Sequence, residues 1–551
     1  MSALSRRHFF LAASSLLAAL LLGACAAVQP AERPRLVVLL AVDGLPQWQV
    51  TEYRDQLAPD GLRRFLEGGA WFANAHYGHA FTATGPGHAV MLTGAYPHRT
   101  GIVGNEWLDP ASGAPVYCAS DETHTYLGNK TPRLAGTSPA NLKAETVGDV
   151  LRRADPRAKV IAISGKDRGA ILPAGRSGIA YMYMGDSGRF ASSTYYMKAH
   201  PAWVKAFNAA KPADRYFKAT WSPLLPEPAY AKSLPDERPW YGPGGKLPKT
   251  FGAGSDAPGA GFYSSLLSSP FADELTVAFA RAALEGEGLG ADDAPDILAV
   301  SLSGHDYVNH AWGAESRLSH DHLLRVDRML QDLFAELDRR VGRDRYVVVL
   351  TADHGFTPAP EYSRSLGRDA GRLSRSQMLA RLNAGLSEKF GKERWVRGWS
   401  ANGVLLDHAL IAQKNADRRA LEAEGRRLLL EEPGVVAVFA RGDLERGAVP
   451  PEAPFAAAIY RTTYPGRSPD LQVVIKPYWL AETLGTRSTT HGSPHPYDTH
   501  VPILFWGPRW LGTGRVEARV EVADIAPTLA RLLGVPVPAQ SEGKPLPLPA
   551  R

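Results

Sequence analysis

Carboxylates and imidazoles recur in this chain just beyond apolar runs, where side chains from different segments can meet. Asp43 follows the run at 35–41 in Val42-Asp43-Gly44, and Asp306-Tyr307-Val308-Asn309-His310 follows the run at 296–302. Asp353 and His354 lie in Thr351-Ala352-Asp353-His354-Gly355 after the run at 346–350. His491 lies in Thr489-Thr490-His491-Gly492-Ser493 ahead of the run at 501–506. These three carboxylates and three imidazoles are oxygen and nitrogen donors of the kind that suits zinc, and six are enough for two ions. Asp306 and His310, at i and i+4, share one face of a helical turn and can grip one ion together. Each motif alone reads as a turn, a helix cap or a solvated loop histidine. Their joint placement at strand ends points to a two-metal centre.

A fifth element supplies a nucleophile. Thr82-Ala83-Thr84-Gly85-Pro86-Gly87-His88-Ala89 leads into an apolar pattern at 90–94. Pro86 near its start marks a helix N-terminus. Thr84 then stands where free backbone N–H groups and the helix dipole favour an anion. A metal-assisted hydroxyl there can attack phosphorus; taken alone, the same residue reads more simply as the helix cap. His76, His79, His88, His98, His495 and His500 also lie near the motifs. With six ligands already at hand, they are expected to orient ligands or support loops.

The elements that must position these residues alternate. Short, nearly continuous apolar runs at 35–41, 159–163, 296–302, 346–350 and 501–506 read as strands buried on both faces. Helical patterns at 142–153, 316–337 and 525–533 lie between them. The fold class is therefore α/β, a mostly parallel central sheet with helices on both faces, and ligands in such sheets bind beyond the strands' carboxyl ends. Two stretches break the alternation, at about 176–270 and 358–488. The second mixes helical patterns (374–386 and 417–431) with a strand-like piece at 471–475. Both are too long to be structureless loops and are read as cap insertions over the site, within a single catalytic domain at 25–551.

Composition sets the remaining bounds. The 551 residues are 44% hydrophobic and 21% charged, which excludes a disordered chain or a disulfide scaffold. A net charge of +6, without a basic run interleaved with aromatics, argues against a nucleic-acid partner. Residues 1–24 carry Arg6 and Arg7 and no acid, then an apolar run at 9–22. That run is short of the roughly 20 residues that span a bilayer, so it reads as a signal peptide. Ser5-Arg6-Arg7-His8-Phe9-Phe10-Leu11 looks like a twin-arginine signal. Leu22-Gly23-Ala24-Cys25 resembles a lipobox, with cleavage before Cys25 and acylation of it. Loss of residues 1–24 leaves 60 basic against 56 acidic residues, or +4, and Cys118 as the second of only two cysteines. A periplasmic or outer-membrane lipoprotein is expected, touching the membrane only through Cys25 and otherwise a soluble monomer.

In order, Val-Asp-Gly, Thr-Gly-Pro-Gly-His, Gly104-Asn105-Glu106-Trp107, Lys166-Asp167-Arg168-Gly169-Ala170, Asp306 to His310, Asp353-His354-Gly355 and His491-Gly492 resemble the alkaline phosphatase superfamily. The resemblance is to its threonine-nucleophile branch, the PafA type, related to the nucleotide pyrophosphatase/phosphodiesterases, and it covers essentially the whole mature chain. It implies two zinc ions, one held by Asp306, His310 and His491. The other would be held by Asp43, Asp353 and His354, with the Thr84 oxygen as a further ligand. It implies Thr84 as nucleophile and a phosphothreonine intermediate, with Asn105, Lys166 and Arg168 contacting the phosphoryl oxygens.

The reaction so implied is hydrolysis of small phosphate monoesters. Broad tolerance of the leaving alcohol is expected, since metal charge rather than a shaped pocket would stabilise it. A phosphodiesterase or nucleotide pyrophosphatase of the same superfamily is the near alternative. A metal-stabilised binding lipoprotein without catalysis is the alternative of another class. A sulfatase would need a Cys/Ser-x-Pro-x-Arg context that is not found around Thr84, and a serine hydrolase a Gly-x-Ser-x-Gly elbow.

Overall fold

Every residue of β1 (Leu36–Val42) is buried, which accounts for a run without polar alternation. The structure, a computed structural model, describes residues 33–482 and 488–551. The signal segment, the lipobox and Cys25 lie outside the described residues. Further strands along the chain are β2 (Ala70–Phe72), β3 (Val160–Ser164), β4 (Ile179–Met184), β5 (Arg189–Ala191), β6 (Asp296–Leu302) and β7 (Tyr346–Thr351). After these come β8 (Val396–Ser400), β9 (Gly403–Leu406), β10 (Val435–Ala440), β11 (Leu471–Ile475), β12 (Ile503–Trp506) and β13 (Gly514–Val516).

Nine of them form one sheet, in the order β13-β2-β12-β7-β1-β6-β3-β4-β5. The central strands β7, β1, β6, β3 and β4 run parallel to one another, whereas β12 pairs antiparallel with both β7 and β2 and β5 antiparallel with β4. The expected mostly parallel α/β sheet is present, with β12 inside it and β5 at its edge reversed. Its helices include α1 (Thr84–Thr93), α2 (Asp167–Ala174), α3 (Pro270–Gly286), α4 (Gly304–Trp312), α5 (Arg317–Arg340), α6 (Arg375–Phe390), α7 (Arg418–Leu430) and α8 (Ile525–Leu533). A helix also spans Val147–Ala154, with Thr146 and Asp149 capping each other's backbone in a capping box.

The two stretches that break the alternation are built differently. The first holds β4 and β5, strands of the main sheet, before it becomes irregular. Ile179-Ala180-Tyr181-Met182-Tyr183-Met184 is almost wholly buried, and its tyrosines disguise a core strand as a polar segment. The second holds a separate four-stranded sheet, β8-β9-β11-β10. Leu382, Val404, Leu421 and Leu471 from this sheet and from α6 and α7 form an apolar cluster of their own.

Candidate active site

Strand direction brings the acidic and imidazole residues to one rim. In the parallel register Val42 of β1 lies beside Leu302 of β6, and Ala41 beside Thr351 of β7. Asp43, Asp306 and Asp353 therefore leave the sheet at the same edge. β12 runs the other way, with its first residue Ile503 opposite Thr351. The segment that precedes β12 thus falls on the rim that the other strands reach at their ends, and His491 arrives there.

Three overlapping donor clusters result: Asp306, His310 and His491; Asp43, Asp306 and His354; and Asp43, His88 and Asp353. His310 Nε2 lies 3.3 Å and His491 Nε2 3.6 Å from Asp306 Oδ1. His354 Nε2 is 3.3 Å from Asp353 Oδ2, 3.6 Å from Asp43 Oδ1 and 3.9 Å from Asp306 Oδ1. Ligands roughly 2.0–2.1 Å from a tetrahedral zinc lie about 3.3 Å from one another, so these separations suit shared coordination. Asp43 Oδ1, Asp306 Oδ1 and His354 Nε2 are buried and make no hydrogen bond. Converging buried acceptors of this kind fit a divalent cation.

Backbone carbonyls fix the imidazoles. Nδ1 of His310, His354 and His491 lies 3.0, 2.9 and 2.7 Å from the carbonyl oxygens of Thr489, Gly355 and Thr82. A carbonyl only accepts, so each Nδ1 carries the proton and each Nε2 presents its lone pair to the cluster. Burial pushes the pKa of His354 down and that of His491 well down, which keeps both neutral. The carboxylates divide. Burial pushes Asp306 up, but the Lys166 ammonium, 2.6 Å from Oδ2, draws its carboxyl well below the usual range. Burial and the neighbouring Asp353 charge push Asp43 well above that range, against the pull of Lys166.

Thr84 is the first residue of α1, and the cap position belongs to Ala83, so the threonine hydroxyl does not cap the helix. The hydroxyl, on a residue only 1% exposed, is 3.5 Å from Arg168 Nη2. Gly87 lets α1 dock against the Asp353 segment; a Cβ there would come within 2.2 Å of the Asp353 carbonyl oxygen. His88, one turn along, has Nδ1 2.9 Å from the Thr84 carbonyl and 3.3 Å from Asp353 Oδ2, while Nε2 meets Ser301 Oγ at 2.8 Å. It thus touches both the Thr84 segment and an acid of the rim. Among the described residues, no candidate cluster includes His76, His79, His98, His495 or His500.

Asn105 accepts a hydrogen bond on Oδ1 from the Gly85 N–H at 2.7 Å, which leaves its amide donors for another partner. Arg168 Nη1 donates to Tyr117 OH at 3.2 Å. Asp167 is held instead by Gly136 N–H and by the hydroxyls of Tyr117 and Tyr126. Lys166 is placed on the carboxylates. Its Nζ lies 2.6 Å from Asp306 Oδ2 and 2.7 Å from Asp43 Oδ2. Burial opposes its charge, yet these two acids raise its pKa.

Asp498 has no counterpart in the sequence reading. Fully buried, it accepts from Gly492 N–H (3.1 Å), Ser493 N–H (2.9 Å), Ser493 Oγ (2.6 Å) and Thr357 Oγ1 (3.0 Å). Its own carbonyl accepts from Gly355 N–H at 2.7 Å. It fastens the His491 loop to the loop after His354. No local pattern marks it, because its partners lie in two loops more than a hundred residues apart.

Over residues 37–498 the sequence matches the family described as type I phosphodiesterase / nucleotide pyrophosphatase. Alkaline phosphatase PafA of Elizabethkingia meningoseptica is 33% identical over 519 residues, covering 93% of this chain and 94% of the relative. The chain belongs to this family, on the PafA-type branch of the alkaline phosphatase superfamily. Other members on this branch include alkaline phosphatase PhoV of Synechococcus elongatus, 33% identical over 530 residues and 94% and 93% of the two chains. The crystal structure of wild-type PafA matches the fold with a TM-score of 0.86 at 33% identity, over 93% of this chain and 98% of that one. A PafA variant altered at a threonine, an asparagine, a lysine and an arginine matches at 0.85 and 32% identity, over 93% and 98%. The α/β alkaline phosphatase-like enzyme expected from the motifs is what the superfamily match shows.

Proposed function

We propose that this member hydrolyses phosphate monoesters through a phosphothreonine formed on Thr84. The observation that carries the reading is the Thr84 hydroxyl at a helix N-terminus, beside Arg168, on the rim that gathers Asp43, Asp306, Asp353, His310, His354 and His491. Asp306, His310 and His491 would hold one zinc, and Asp43, Asp353 and His354 the other, with the Thr84 oxygen as a further ligand. Two such ions supply Lewis-acid charge to the attacking and leaving oxygens of an in-line displacement.

The chain's own residues do the rest. Thr84 Oγ1, its proton passed to solvent, bonds to phosphorus as the ester oxygen departs with the bonding pair and takes up a proton from water. The positive end of the α1 dipole favours the charge that gathers there. Arg168 spans two phosphoryl oxygens with its fork, and the Asn105 amide donates to a non-bridging one. Ligation of a cation by Asp43 and Asp306 would free the Lys166 ammonium for the remaining oxygen. Water then bonds to phosphorus from the departed side, giving up a proton, the Thr84 ester bond breaks with its electron pair on Oγ1, which regains a proton, and inorganic phosphate leaves.

Release of p-nitrophenol from p-nitrophenyl phosphate tests this. A chelator and Thr84→Ala should each lower the rate by orders of magnitude, and acid quench should trap labelled phosphate on Thr84 in the wild type alone. Turnover by Thr84→Ala at the wild-type rate overturns the reading. We further propose that the enzyme works outside the cytoplasm, tethered by lipid on Cys25. Cys25→Ala should appear in the soluble fraction; a variant still acylated and membrane-bound refutes the tether.

A further inference from the structure

A groove of about 490 Å³ opens beside His310, walled by Trp240, Tyr241, Tyr307, His310, Glu361 and Arg372. Its volume lies within the range of small-molecule sites. Trp240 and Tyr241 come from the irregular stretch between β5 and α3, and this stretch is clipped to α4. Gly242 N–H donates to Ala311 O at 2.7 Å, Trp312 Nε1 donates to Gly242 O at 3.2 Å, and Leu234 N–H donates to Glu315 O at 2.8 Å. The same helix carries Asp306 and His310, so the aromatic wall and that donor cluster are held together. The polar wall is fixed too. Arg372 donates to Glu361 from Nε at 2.9 Å and Nη2 at 2.8 Å, to Ser488 O at 2.6 Å, and to Glu482. Trp240 in turn stacks on Tyr362, with centroids 6.5 Å apart and planes 29° from parallel.

We propose that this groove receives the leaving alcohol of the substrate and favours one that bears a planar ring, a nucleoside or an aryl group. The inference rests on the monoester reading above. It follows from position: the groove starts at a member of the Asp306, His310 and His491 cluster, where charge would develop on the departing oxygen. It follows also from wall chemistry. A flat ring gains stacking on Trp240 and an edge contact with Tyr241, whose ring stands at 89° to that of Trp240, that a polyol cannot match, while the Glu361 carboxylate offers an acceptor to a nitrogen donor on the ring. The broad tolerance argued from the sequence thus becomes a graded preference.

Adenosine 5′-monophosphate and glycerol 3-phosphate both release a primary alkoxide, so their chemistry at phosphorus is alike and only the group in the groove differs. The wild type should show the higher kcat/KM for the nucleotide. Trp240→Ala should lower the nucleotide-to-glycerol ratio by about tenfold. Calorimetric titration with adenosine should show its affinity weakened by a similar factor. If Trp240→Ala does not fold, Trp240→Phe should keep the ratio and Trp240→Leu should lose it. Equal loss for both esters, an unchanged ratio, or equal ratios for the Phe and Leu variants overturns the assignment of the groove. A wild type that hydrolyses both esters equally well overturns the groove alone, whereas one that hydrolyses neither overturns the monoester reading itself.

Discussion

Lys166 and Arg168 stand two residues apart with the same charge, yet they face different partners. Arg168, inside α2, points its guanidinium at Thr84 and Tyr117, while Lys166, at the cap position, bridges Asp43 and Asp306. The residue types and spacing were legible in the sequence, as were Thr84 and the six acids and imidazoles that meet on the rim. The choice of partners was not, because it depends on which carboxylates the register of β1 against β6 brings within reach of the ammonium. A monoester is a dianion with three non-bridging oxygens, whereas a diester carries one charge less and a substituent in place of one oxygen. Two cations beside phosphorus favour the former. Replacing both side chains with alanine should lower monoester kcat/KM by roughly 100-fold or more, with a far smaller loss for bis-p-nitrophenyl phosphate. Equal losses, or a wild type faster on the diester, would replace the monoesterase assignment with that of a phosphodiesterase.

At the scale of elements, strand ends carried most of the legible information. The run at 296–302 was bounded as observed, and the runs at 35–41, 159–163 and 346–350 to within a residue at either end. Their buried centres left no polar alternation to blur the edges. The reversed β12 escaped, since a strand of four residues looks the same in either direction and only its pairing with β7 sets its sense. Reversal makes the segment before β12 a rim loop, and Asp498 ties that loop down. Asp498→Ala would strand the Gly492 and Ser493 N–H groups without an acceptor, at a cost of about 1–3 kcal/mol for each that stays buried. The melting temperature should fall, and any divalent metal bound per chain should drop below the wild-type value. A variant that keeps both would show that the loop holds its ligand without the carboxylate.

The whole molecule carries a burden of neutral imidazoles. His79, His320 and His322 are fully buried, and burial pushes their pKa values to about 3, about 4 and about 3. In the unfolded chain each takes up a proton near pH 6.5, while in the fold it stays neutral to much lower pH. Between those limits the unfolded state binds more protons, so stability is full above pH 6.5 and drains away as pH falls. Each ring contributes about 1 kcal/mol per pH unit in that window. Carboxyls that burial raises to about 7, among them Asp273, Glu315 and Glu521, work the other way in this window, so the test is the difference between variants. As pH falls from about 7 to about 5, the melting temperature of His79→Gln should rise relative to that of the wild type, and a difference that does not change with pH would mean the ring is not held neutral. This burial was not legible at 76–79 or 320–322, where the residues read as loop supports or as part of a helical pattern, because the surfaces that enclose them come from distant segments. The family and its fold were legible at this scale, because the motifs run in order along nearly the full chain.

The pairing of β2 with β12 joins residues 70–72 to residues 503–505. A chain leaving the ribosome therefore carries Asp43 and Thr84 long before it can assemble a centre around them. His491, the loop tie at Asp498 and the strand that sets both at the rim are complete only once synthesis has passed residue 506 of 551. Assembly of the rim is thereby timed to the end of translation, and a chain stalled before that point would carry the other donors on an incomplete sheet.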